Sequence, residues 1–527
     1  MPGLLCKKFL ESNGFFDMLS KVTACGLSGI DGYIVSVETD ISNGIPAFDI
    51  VGLGDAAVKE AKERVRAAIK NSGFEFPSRR ITINLAPADL RKEGTAYDLP
   101  IAMGILAALG MIPVGCLDGC LLSGELSLDG SLRPVYGVLP KAIAARDNQM
   151  EFIMVPSENA CEAAVVKGIK VIPVSSLPEL VRYLKGNAEI SPVEEEWDAR
   201  SNREGESDLD FADVKGQYYV KRALEVAAAG GHNLFMIGSP GCGKTMLARR
   251  MPSILPDMTF EEALEVTKIH SVAGLLPPDT SLVTQRPFRA PHHTISSTSL
   301  VGGGRIPKPG EVSLAHLGVL FLDELPEFGK SALEVLRQPL EDGFALISRV
   351  NASITYPCRT TLIAAANPCK CGFYLDETRE CVCTRQEVRG YLGRLSGPLM
   401  DRLDIQVEVP TLKYDELEEG KTSEPSRVIR ERVNRARSIQ QRRFTEKGIY
   451  CNAQLTPSMI RRYCKLGKEE SALLRDAFSR LGFTARSHNR ILKVARTIAD
   501  LEGSDDIGTI HIAEAIQYRA LDRNLFR

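Results

Sequence analysis

Four segments in the first third of the chain carry the hydrophobic patterning of β-strands. They read "GYIVSVETDI", "RITINLAP", "CLLSGELSL" and "EFIMVP". Their apolar residues either alternate with polar ones or run together, and β-branched side chains are frequent. Both patterns, over stretches this short, are typical of strands. The sequence therefore predicts at least four strands before residue 185.

A helical pattern separates the first two of these segments, in "DAAVKEAKERVRAAIKNSG". Apolar residues recur there every three or four positions and form one stripe: Val58, Ala61, Val65, Ala68 and Ile69. Such a stripe predicts an amphipathic helix with one buried face, and a glycine such as Gly73 commonly ends a helix. Strands interleaved with a helix predict an α+β domain over residues 18–185.

The run from Leu99 to Leu117 has no charged residue and is long enough to raise the question of a membrane span. Pro100, Pro113 and three glycines interrupt it, and they suit a buried helix followed by a turn better. We therefore predict a cytoplasmic protein that has no membrane partner.

The rest of the chain divides by pattern into further regions. Residues 186–210 are polar and acidic and predict a linker, whereas 211–410 contain apolar strand runs and predict an α/β domain. Residues 411–527 are helical in pattern, with an apolar stripe in "NRILKVARTIADL" formed by Ile491, Val494, Ala495 and Ile498. Residues 1–17 precede an alternative start at Met18 and are treated as an extension that need not be native. The fold class is thus α/β multidomain.

Composition adds little to this division except locally. A chain of 527 residues with 44% hydrophobic and 25% charged residues is an ordinary soluble protein of several domains. Thirteen cysteines without a secretory signal indicate a reducing compartment. The net charge of -2 is an average over the whole chain, which includes a basic stretch at 421–465 with twelve basic residues against three acidic ones. That stretch is either a footprint for a polyanion or an exposed helical face.

The octapeptide "GSPGCGKT" follows the strand run "NLFMI" and precedes the helical run "TMLARRM". It consists of Gly238, Ser239, Pro240, Gly241, Cys242, Gly243, Lys244 and Thr245. In this pattern glycines let backbone N–H groups approach phosphates, the lysine contacts the β- and γ-oxygens, and the threonine hydroxyl binds Mg²⁺. The octapeptide therefore predicts a site for ATP with Mg²⁺.

A second element of this site is predicted at "GVLFLDE", an apolar strand that ends in two acids. Asp323 is placed to bind Mg²⁺ and Glu324 to polarise the attacking water. The alternative, a strand that merely ends at the surface, is less consistent with the octapeptide in the same region.

The middle region resembles the AAA+ ATPases, in particular their magnesium-chelatase-like branch. The resemblance rests on "FRAPHHTIS", "SLVGGG", "PKPGEVSLAHLGVLFLDELPEF", "VLRQPLEDG", "AAANPC" and "RLSGPLMDRLDI". It implies an AAA+ P-loop core of αβα type over 211–410 and a helical lid domain over 411–527. It also implies that Asn367 senses the γ-phosphate and orients water.

The same resemblance gives roles to two arginines. Arg402 is similar to the arginine finger that is offered to a neighbouring subunit's ATP, and Arg486 to the lid arginine that contacts nucleotide in its own subunit. A guanidinium stays charged and stabilises the charge that builds on a transferring phosphoryl group, although a surface ion pair is the alternative for each. A finger supplied by a neighbour implies a homo-oligomer, most simply a hexameric ring.

The N-terminal region resembles the proteolytic domain of Lon, whose fold is of the ribosomal-S5-like α+β type. The resemblance rests on "PADLRKEGTAYDLPIAMGILAAL" and "SGELSLDGSLRPVYGVLPKAIAAR". Lon-type proteases use a serine and a lysine, and Ala96 and Leu139 stand at those positions here. Lys141 lies two residues further on, without a reason to point the same way. Because alanine offers no nucleophile, we expect a proteolytically inactive domain.

The combination of these domains resembles the ComM/YifB family over nearly the whole chain after Met18. Membership implies an ATP-driven DNA helicase that moves branched or single-stranded DNA during natural transformation. Its DNA contacts are expected at two insertions: a basic loop within 288–309 that holds Arg305 and Lys308, and a hairpin with its tip near 349–352. For each, an ordinary structural loop or hairpin is the alternative.

Two other functions remain open at this stage. One is a magnesium-chelatase-like motor or MoxR-like chaperone that drives metal or cofactor insertion. The other is a nucleotide-gated DNA-binding scaffold.

A cysteine cluster and a histidine pair suggest metals. Cys369, Cys371, Cys381 and Cys383 can supply four thiolates to a structural Zn²⁺, although two to four residues between paired ligands is the usual spacing. Free reduced thiols and a redox-active disulfide are the alternatives.

The pair His292 and His293 has no obvious third ligand nearby, so a structural role is favoured over a metal.

Overall fold

The computed structural model describes residues 19–113, 115–194, 209–277, 280–304, 307–349, 352–376, 379–395, 397–412, 423–444, 448–519 and 521. The chain forms two compact units. The first contains Met1–Ala199 and Ala263–Val283, and the second contains Arg200–Glu262 and Thr284–Arg527. The predicted extension 1–17 lies outside the described residues, as does most of the predicted acidic linker.

The first unit is built on a mixed sheet that has seven strands among the described residues, in the order β3-β4-β2-β1-β5-β8-β9. Its strands are β1 (Leu19–Ser28), β2 (Asp31–Ser42), β3 (Ala47–Val51), β4 (Arg80–Ala86), β5 (Cys120–Leu122), β8 (Phe152–Pro156) and β9 (Lys170–Val174). A small two-stranded pair consists of β6 (Glu125–Leu126) and β7 (Leu132–Arg133). The four strand-like segments of the sequence are confirmed in β2, β4, β5 with β6, and β8.

The helices of this unit are α1 (Ala56–Asn71), α2 (Asp98–Ala108), α3 (Val138–Asp147), α4 (Ala160–Ala164) and α5 (Leu177–Leu184). In α1 the predicted stripe is buried, and Asp55 caps the first turn by accepting from the Val58 N–H at 2.9 Å. The helix α2 is buried on nearly every side, and after its first residue, Asp98, it contains no charged residue. The prediction of a buried helix over this run is confirmed.

The second unit contains a five-stranded sheet in the order β11-β14-β17-β10-β18. Its strands are β10 (Leu234–Ile237), β11 (Phe288–Arg289), β14 (Val319–Leu322), β17 (Thr361–Ala366) and β18 (Ile405–Glu408). Every pairing between them is parallel. Parallel strands are usually buried on both faces, and their unbroken apolar sequences fit that position. The predicted α/β core is therefore confirmed as a parallel sheet.

Helices of the second unit's core are α6 (Tyr218–Gly230), α7 (Lys244–Arg250), α9 (Ser297–Val301), α10 (Glu311–Leu314), α11 (Lys330–Val335), α12 (Arg337–Asp342), α13 (Arg385–Leu392) and α14 (Gly397–Met400). Between α7 and α9, α8 (Phe260–Ala273) runs into the residues that belong to the first unit. The C-terminal helices are α15 (Ser426–Arg443), α16 (Pro457–Tyr463), α17 (Lys468–Leu481), α18 (Ala485–Glu502) and α19 (Thr509–Gln517). The predicted stripe of α18 is buried in one hydrophobic cluster with β10, β18 and α6. The helical C-terminal region therefore shares a core with the parallel sheet.

Two short insertions pack against each other in the second unit. One is the pair β12 (Gly302–Gly303) and β13 (Lys308–Pro309), and the other is the predicted hairpin, β15 (Phe344–Arg349) with β16 (Ala352–Pro357). The Tyr356 hydroxyl donates to the Pro307 carbonyl at 2.9 Å. Gly302 approaches Ile347 so closely that a Cβ there would lie 2.7 Å from the Ile347 Cδ1. Arg305 and the centre of the hairpin tip lie outside the described residues.

Among the described residues, no helix combines the length and apolar composition needed to cross a bilayer.

Candidate functional site

The predicted phosphate loop joins the carboxyl end of β10 to the start of α7. Gly241 and Gly243 have φ angles of 82° and 95°, a region that favours glycine over residues with a Cβ. A Cβ on Gly238 would lie 2.4 Å from the Val409 carbonyl oxygen, so this position also requires glycine. The loop thus places backbone N–H groups at the amino end of a helix, as anion binding requires.

Lys244 is held inside this loop. Its Nζ donates to the carbonyls of Gly238 at 2.8 Å and Ser239 at 3.0 Å, and to the Asn367 Oδ1 at 3.1 Å. Asn367 follows β17, the strand beside β10. The structure thus brings the predicted lysine and the predicted γ-phosphate sensor into direct contact.

The predicted magnesium ligands also meet at this edge of the sheet. The Thr245 hydroxyl donates to the Asp323 Oδ2 at 2.6 Å, and Asp323 follows β14 directly. A hydroxyl and a carboxylate beside a phosphate loop are the oxygen donors that Mg²⁺ uses in such sites. These two residues fit the ion that accompanies ATP.

Glu324 stands exposed next to Asp323, with a left-handed backbone at φ 52°. Its Oε2 lies 3.4 Å from the Nδ1 of His293, a contact that sequence reasoning missed. The signal was available only in three dimensions, because His293 follows β11 and becomes a neighbour through the pairing of β11 with β14. His293 also stacks with His292, their ring centroids 4.1 Å apart.

Arg402 and Arg486 lie together at the opposite edge of the sheet. Arg402 precedes β18 and Arg486 is in the first turn of α18. Arg402 pairs with Glu341 and donates to the Pro398 carbonyl at 2.7 Å, while Arg486 lies 3.7 Å from Asp401. Among the described residues the Nε of Arg402 is buried without a hydrogen-bond partner. The structure does not bring Arg486 to the phosphate loop of its own chain.

These two arginines line a cleft of about 500 Å³ at the amino ends of the strands. Its walls hold further cations, acids, and residues at or just before the start of three strands. Among them are Arg490, Lys493, Glu341, Asp401, Asp404, Asn233, Gly318 and Thr361. Burial raises the pKa of Asp404, but a hydrogen bond from His232 and the nearby Arg490 outweigh burial and hold the pKa at about 2. The cleft is therefore a charged site, in which Glu341 and the Pro398 carbonyl orient Arg402, whereas the side chain of Arg486 is 67% exposed.

The four predicted zinc ligands form a cluster after β17. The sulfur atoms of Cys369, Cys371, Cys381 and Cys383 all lie within 4.8 Å of one another. The Sγ of Cys369 is 3.3 Å from that of Cys371 and 3.7 Å from that of Cys381, and the last two are 3.5 Å apart. Around a tetrahedral Zn²⁺ with bonds of about 2.3 Å, sulfur atoms lie about 3.8 Å apart. The donor set therefore fits a structural zinc despite the short spacing within each pair.

The first unit places Ala96 and Leu139 against one hydrophobic cluster. Sequence reasoning missed a serine–lysine contact beside them: the Nζ of Lys141 donates to the Ser123 hydroxyl at 3.0 Å. Burial lowers the pKa of Lys141 to about 8, against opposing effects of Cys25 and Glu162. Ser123 is only 1% exposed and Lys141 only 2%, so a peptide cannot approach this pair in the folded unit.

The basic stretch 421–465 contains the helices α15 and α16, and several of its arginines form internal pairs. Arg432 bonds to Glu225 at 2.5 Å and to Glu424, and Arg443 bonds to Asp500 at 2.5 Å. Arg437 donates to two backbone carbonyls. These contacts tie α15 to the rest of the second unit, and acids of the chain neutralise the charges of Arg432 and Arg443.

Three family models match the chain. "Subunit ChlI of Mg-chelatase" matches residues 37–159, "Magnesium chelatase, subunit ChlI" matches 210–417, and "Magnesium chelatase, subunit ChlI C-terminal" matches 423–519.

Similar proteins extend over almost the whole chain. Competence protein ComM of Haemophilus influenzae is 46% identical over 502 residues, 94% of this chain and 96% of that protein. The uncharacterized protein YifB of Escherichia coli is 44% identical over 509 residues, 96% of this chain and 98% of that protein. Lon protease 2 of Bacillus subtilis is 29% identical over 126 residues, 23% of this chain and 22% of that protein. Because identity above 40% covers nearly the full length of both chains, this chain belongs to the ComM/YifB family and carries the domains of the magnesium-chelatase ChlI subunit.

Proposed function

We propose that the chain is an ATP hydrolase that assembles into a ring and drives branch migration of DNA. The observation that carries the proposal is the division of the hydrolysis machinery between two edges of one sheet. Lys244, Thr245, Asp323 and Asn367 meet at the carboxyl edge, whereas Arg402 stands at the amino edge.

The separation between these edges is too large for one chain to complete the site alone. The strands β10 and β18 are adjacent, parallel and four residues long. At about 3.3 Å per residue their two ends are about 13 Å apart, more than an arginine side chain spans. An arginine at the amino edge therefore acts on a triphosphate held by another copy, where its fixed charge stabilises the transition state.

Arg486 belongs to the same proposal. It was expected to contact nucleotide in its own subunit, but it lies beside Asp401 in the cleft that Arg402 lines. We therefore assign both arginines to the ATP of the neighbouring copy. A closed ring is the arrangement in which each copy offers one phosphate loop and one pair of arginines.

Two observations support DNA as the substrate that the motor moves: the similarity to a competence protein, and the two insertions that pack against each other. Lys308 is exposed on β13. Arg305 lies shortly before it in the sequence, and Arg349 is the last residue of the hairpin strand β15. Contacts to a DNA backbone require only cations along a surface and do not require base recognition. We propose that the insertions face the DNA inside the ring.

The remaining parts have supporting roles in this proposal. Mg²⁺ accompanies ATP at Thr245 and Asp323, and Zn²⁺ is bound by the four-cysteine cluster. The first unit is a binding domain without peptidase activity, since its serine–lysine pair is buried and Ala96 offers no nucleophile.

The test is a branch-migration assay on three-way and four-way DNA junctions with the parent protein, Lys244→Ala and Glu324→Gln. We expect the parent to dissociate the junctions only with ATP and Mg²⁺, and both variants to leave them intact. Glu324→Gln should still bind ATP, because it retains the phosphate loop. A parent that hydrolyses ATP without any response to DNA would contradict the proposal.

Two other results would point to other functions. A metal-inserting motor is favoured by the magnesium-chelatase domains, and it would show hydrolysis that no DNA structure changes. A nucleotide-gated scaffold would bind junctions with ATP, and its Glu324→Gln variant would behave as the parent does.

A further inference from the structure

The four-cysteine cluster lies directly against the phosphate loop. The chain leaves β17, passes Asn367 and reaches Cys369, the fully buried member of the cluster, two residues later. A tight turn follows, in which the Gly372 N–H points to the Cys369 Sγ at 3.2 Å. The same N–H also donates to the Cys369 carbonyl at 3.1 Å, so the backbone and the sulfur atom of Cys369 both hold the turn.

Gly372 connects this turn to the phosphate loop. Its φ angle is 90°, and a Cβ added to it would lie 2.5 Å from both the Cδ and the Cγ of Pro240. A Cβ atom is essentially never found that close to another carbon atom, so only glycine fits at position 372. The backbone of the turn therefore packs directly on the Pro240 ring. Pro240 belongs to the octapeptide that holds Lys244.

The cluster thus touches the ATP site from two sides. It follows Asn367, which accepts from Lys244, and its turn supports Pro240. A tetrahedral metal at the cluster would fix the turn and close the chain between Cys369 and Cys383. Without a metal, local hydrogen bonds such as the one from the Gly372 N–H to the Cys369 carbonyl at 3.1 Å remain, but the connection between Cys369 and Cys383 is lost, and the turn behind the phosphate loop is less firmly held.

We propose that zinc at the four-cysteine cluster controls nucleotide affinity by holding Gly372 against Pro240. The inference rests on the proposed ATP site and not on its DNA-directed use. Loss of the metal releases the turn, the phosphate loop loses its support, and ATP binds more weakly. Zinc availability then sets how much of the protein can carry nucleotide.

Two variants of the full-length chain separate the metal from the contact. The double variant Cys381→Ser, Cys383→Ser removes two partly exposed ligands, so its substitutions leave no cavity in the core. Gly372→Ala keeps all four thiols and pushes against Pro240. Gly390→Ala on α13 is the matched control, because a Cβ there has nothing within 4 Å. Cys161→Ser, in the first unit, controls for the loss of a cysteine.

Zinc content is measured by mass spectrometry, and affinity by titration with a fluorescent ATP analogue and Mg²⁺ in the absence of DNA. We expect one zinc in the parent and in both controls, with the same dissociation constant. The double variant should lose zinc and bind the analogue about tenfold more weakly. Gly372→Ala should keep zinc and show a similar loss of affinity. Chelation of the parent should weaken binding, and added Zn²⁺ should restore it.

Three results would overturn the proposal. They are a parent that neither holds nor takes up zinc, a zinc-free double variant with parental affinity, and a Gly372→Ala protein with parental affinity. Because no DNA is present, a parent that fails on branched junctions but passes these titrations would refute the proposed motor and leave this inference intact.

Discussion

At the scale of single residues, Lys244 and Asn367 share one hydrogen bond, and the proposed function gives them different tasks. The lysine charge is expected to contact the bound phosphates in every state, whereas the amide is expected to orient the attacking water and so to act mainly in the transition state. We expect Lys244→Ala to lose ATP affinity. We expect Asn367→Ala to keep it and to hydrolyse ATP about 100-fold more slowly. Equilibrium titration and phosphate-release rates separate these effects, and an equal loss of affinity in both variants would contradict the division of roles.

Lys141 gives a prediction about pH. Its folded pKa of about 8 is below the ordinary value of 10.5, so between these values the unfolded chain binds more protons than the folded one. The first unit should therefore gain stability as pH rises from 8 to 10, by at most about 1.4 kcal/mol per pH unit from this group. Calorimetry on the parent and on Lys141→Met, in reducing buffer, measures the difference. The prediction fails if the two proteins show parallel pH dependence.

At the scale of elements, the sequence predicted those features that depend only on residues close together in the chain. The strand runs, the α1 stripe and the phosphate loop each follow from the pattern of one contiguous segment, and the structure forms each element where the pattern indicates. The position of Arg486, the contact of His293 with Glu324, and the packing of Gly372 on Pro240 join residues far apart in the chain. Such contacts follow from strand order and helix docking, which periodicity does not encode.

The next prediction concerns the two insertions, whose cations are proposed to contact DNA. Tyr356 on the hairpin bonds to Pro307 beside β13, so the elements are expected to move as one. We expect Lys308→Ala with Arg349→Ala to reduce DNA stimulation of ATP hydrolysis and the salt dependence of DNA binding, because fewer counterions are released. Hydrolysis without DNA should stay parental. Lys330→Ala, at the start of α11, is a control cation outside the insertions. Unchanged DNA stimulation in the double variant would exclude these residues from the DNA contact.

At the scale of the whole molecule, the decisive question is which copy supplies each arginine. If Arg402 acts on the neighbour's ATP, a site is complete when one copy has an intact phosphate loop and the next has an intact arginine. Mixing inactive Lys244→Ala with inactive Arg402→Ala subunits should then restore hydrolysis. With equal amounts and random order about one interface in four is complete, so we expect up to about a quarter of parental activity per site, measured as phosphate release after the subunits exchange.

The same mixing experiment assigns Arg486 without a structure of the assembly. If Arg486 also serves the neighbour, Arg486→Ala should complement Lys244→Ala, and it should not complement Arg402→Ala, because both arginines must come from one copy. If Arg486 served its own chain, the outcomes would be reversed. Each pair of variants therefore restores hydrolysis under one arrangement and not under the other. The 3.7 Å contact of Arg486 with Asp401, in the cleft that Arg402 lines, favours the arrangement in which Arg486 serves the neighbour.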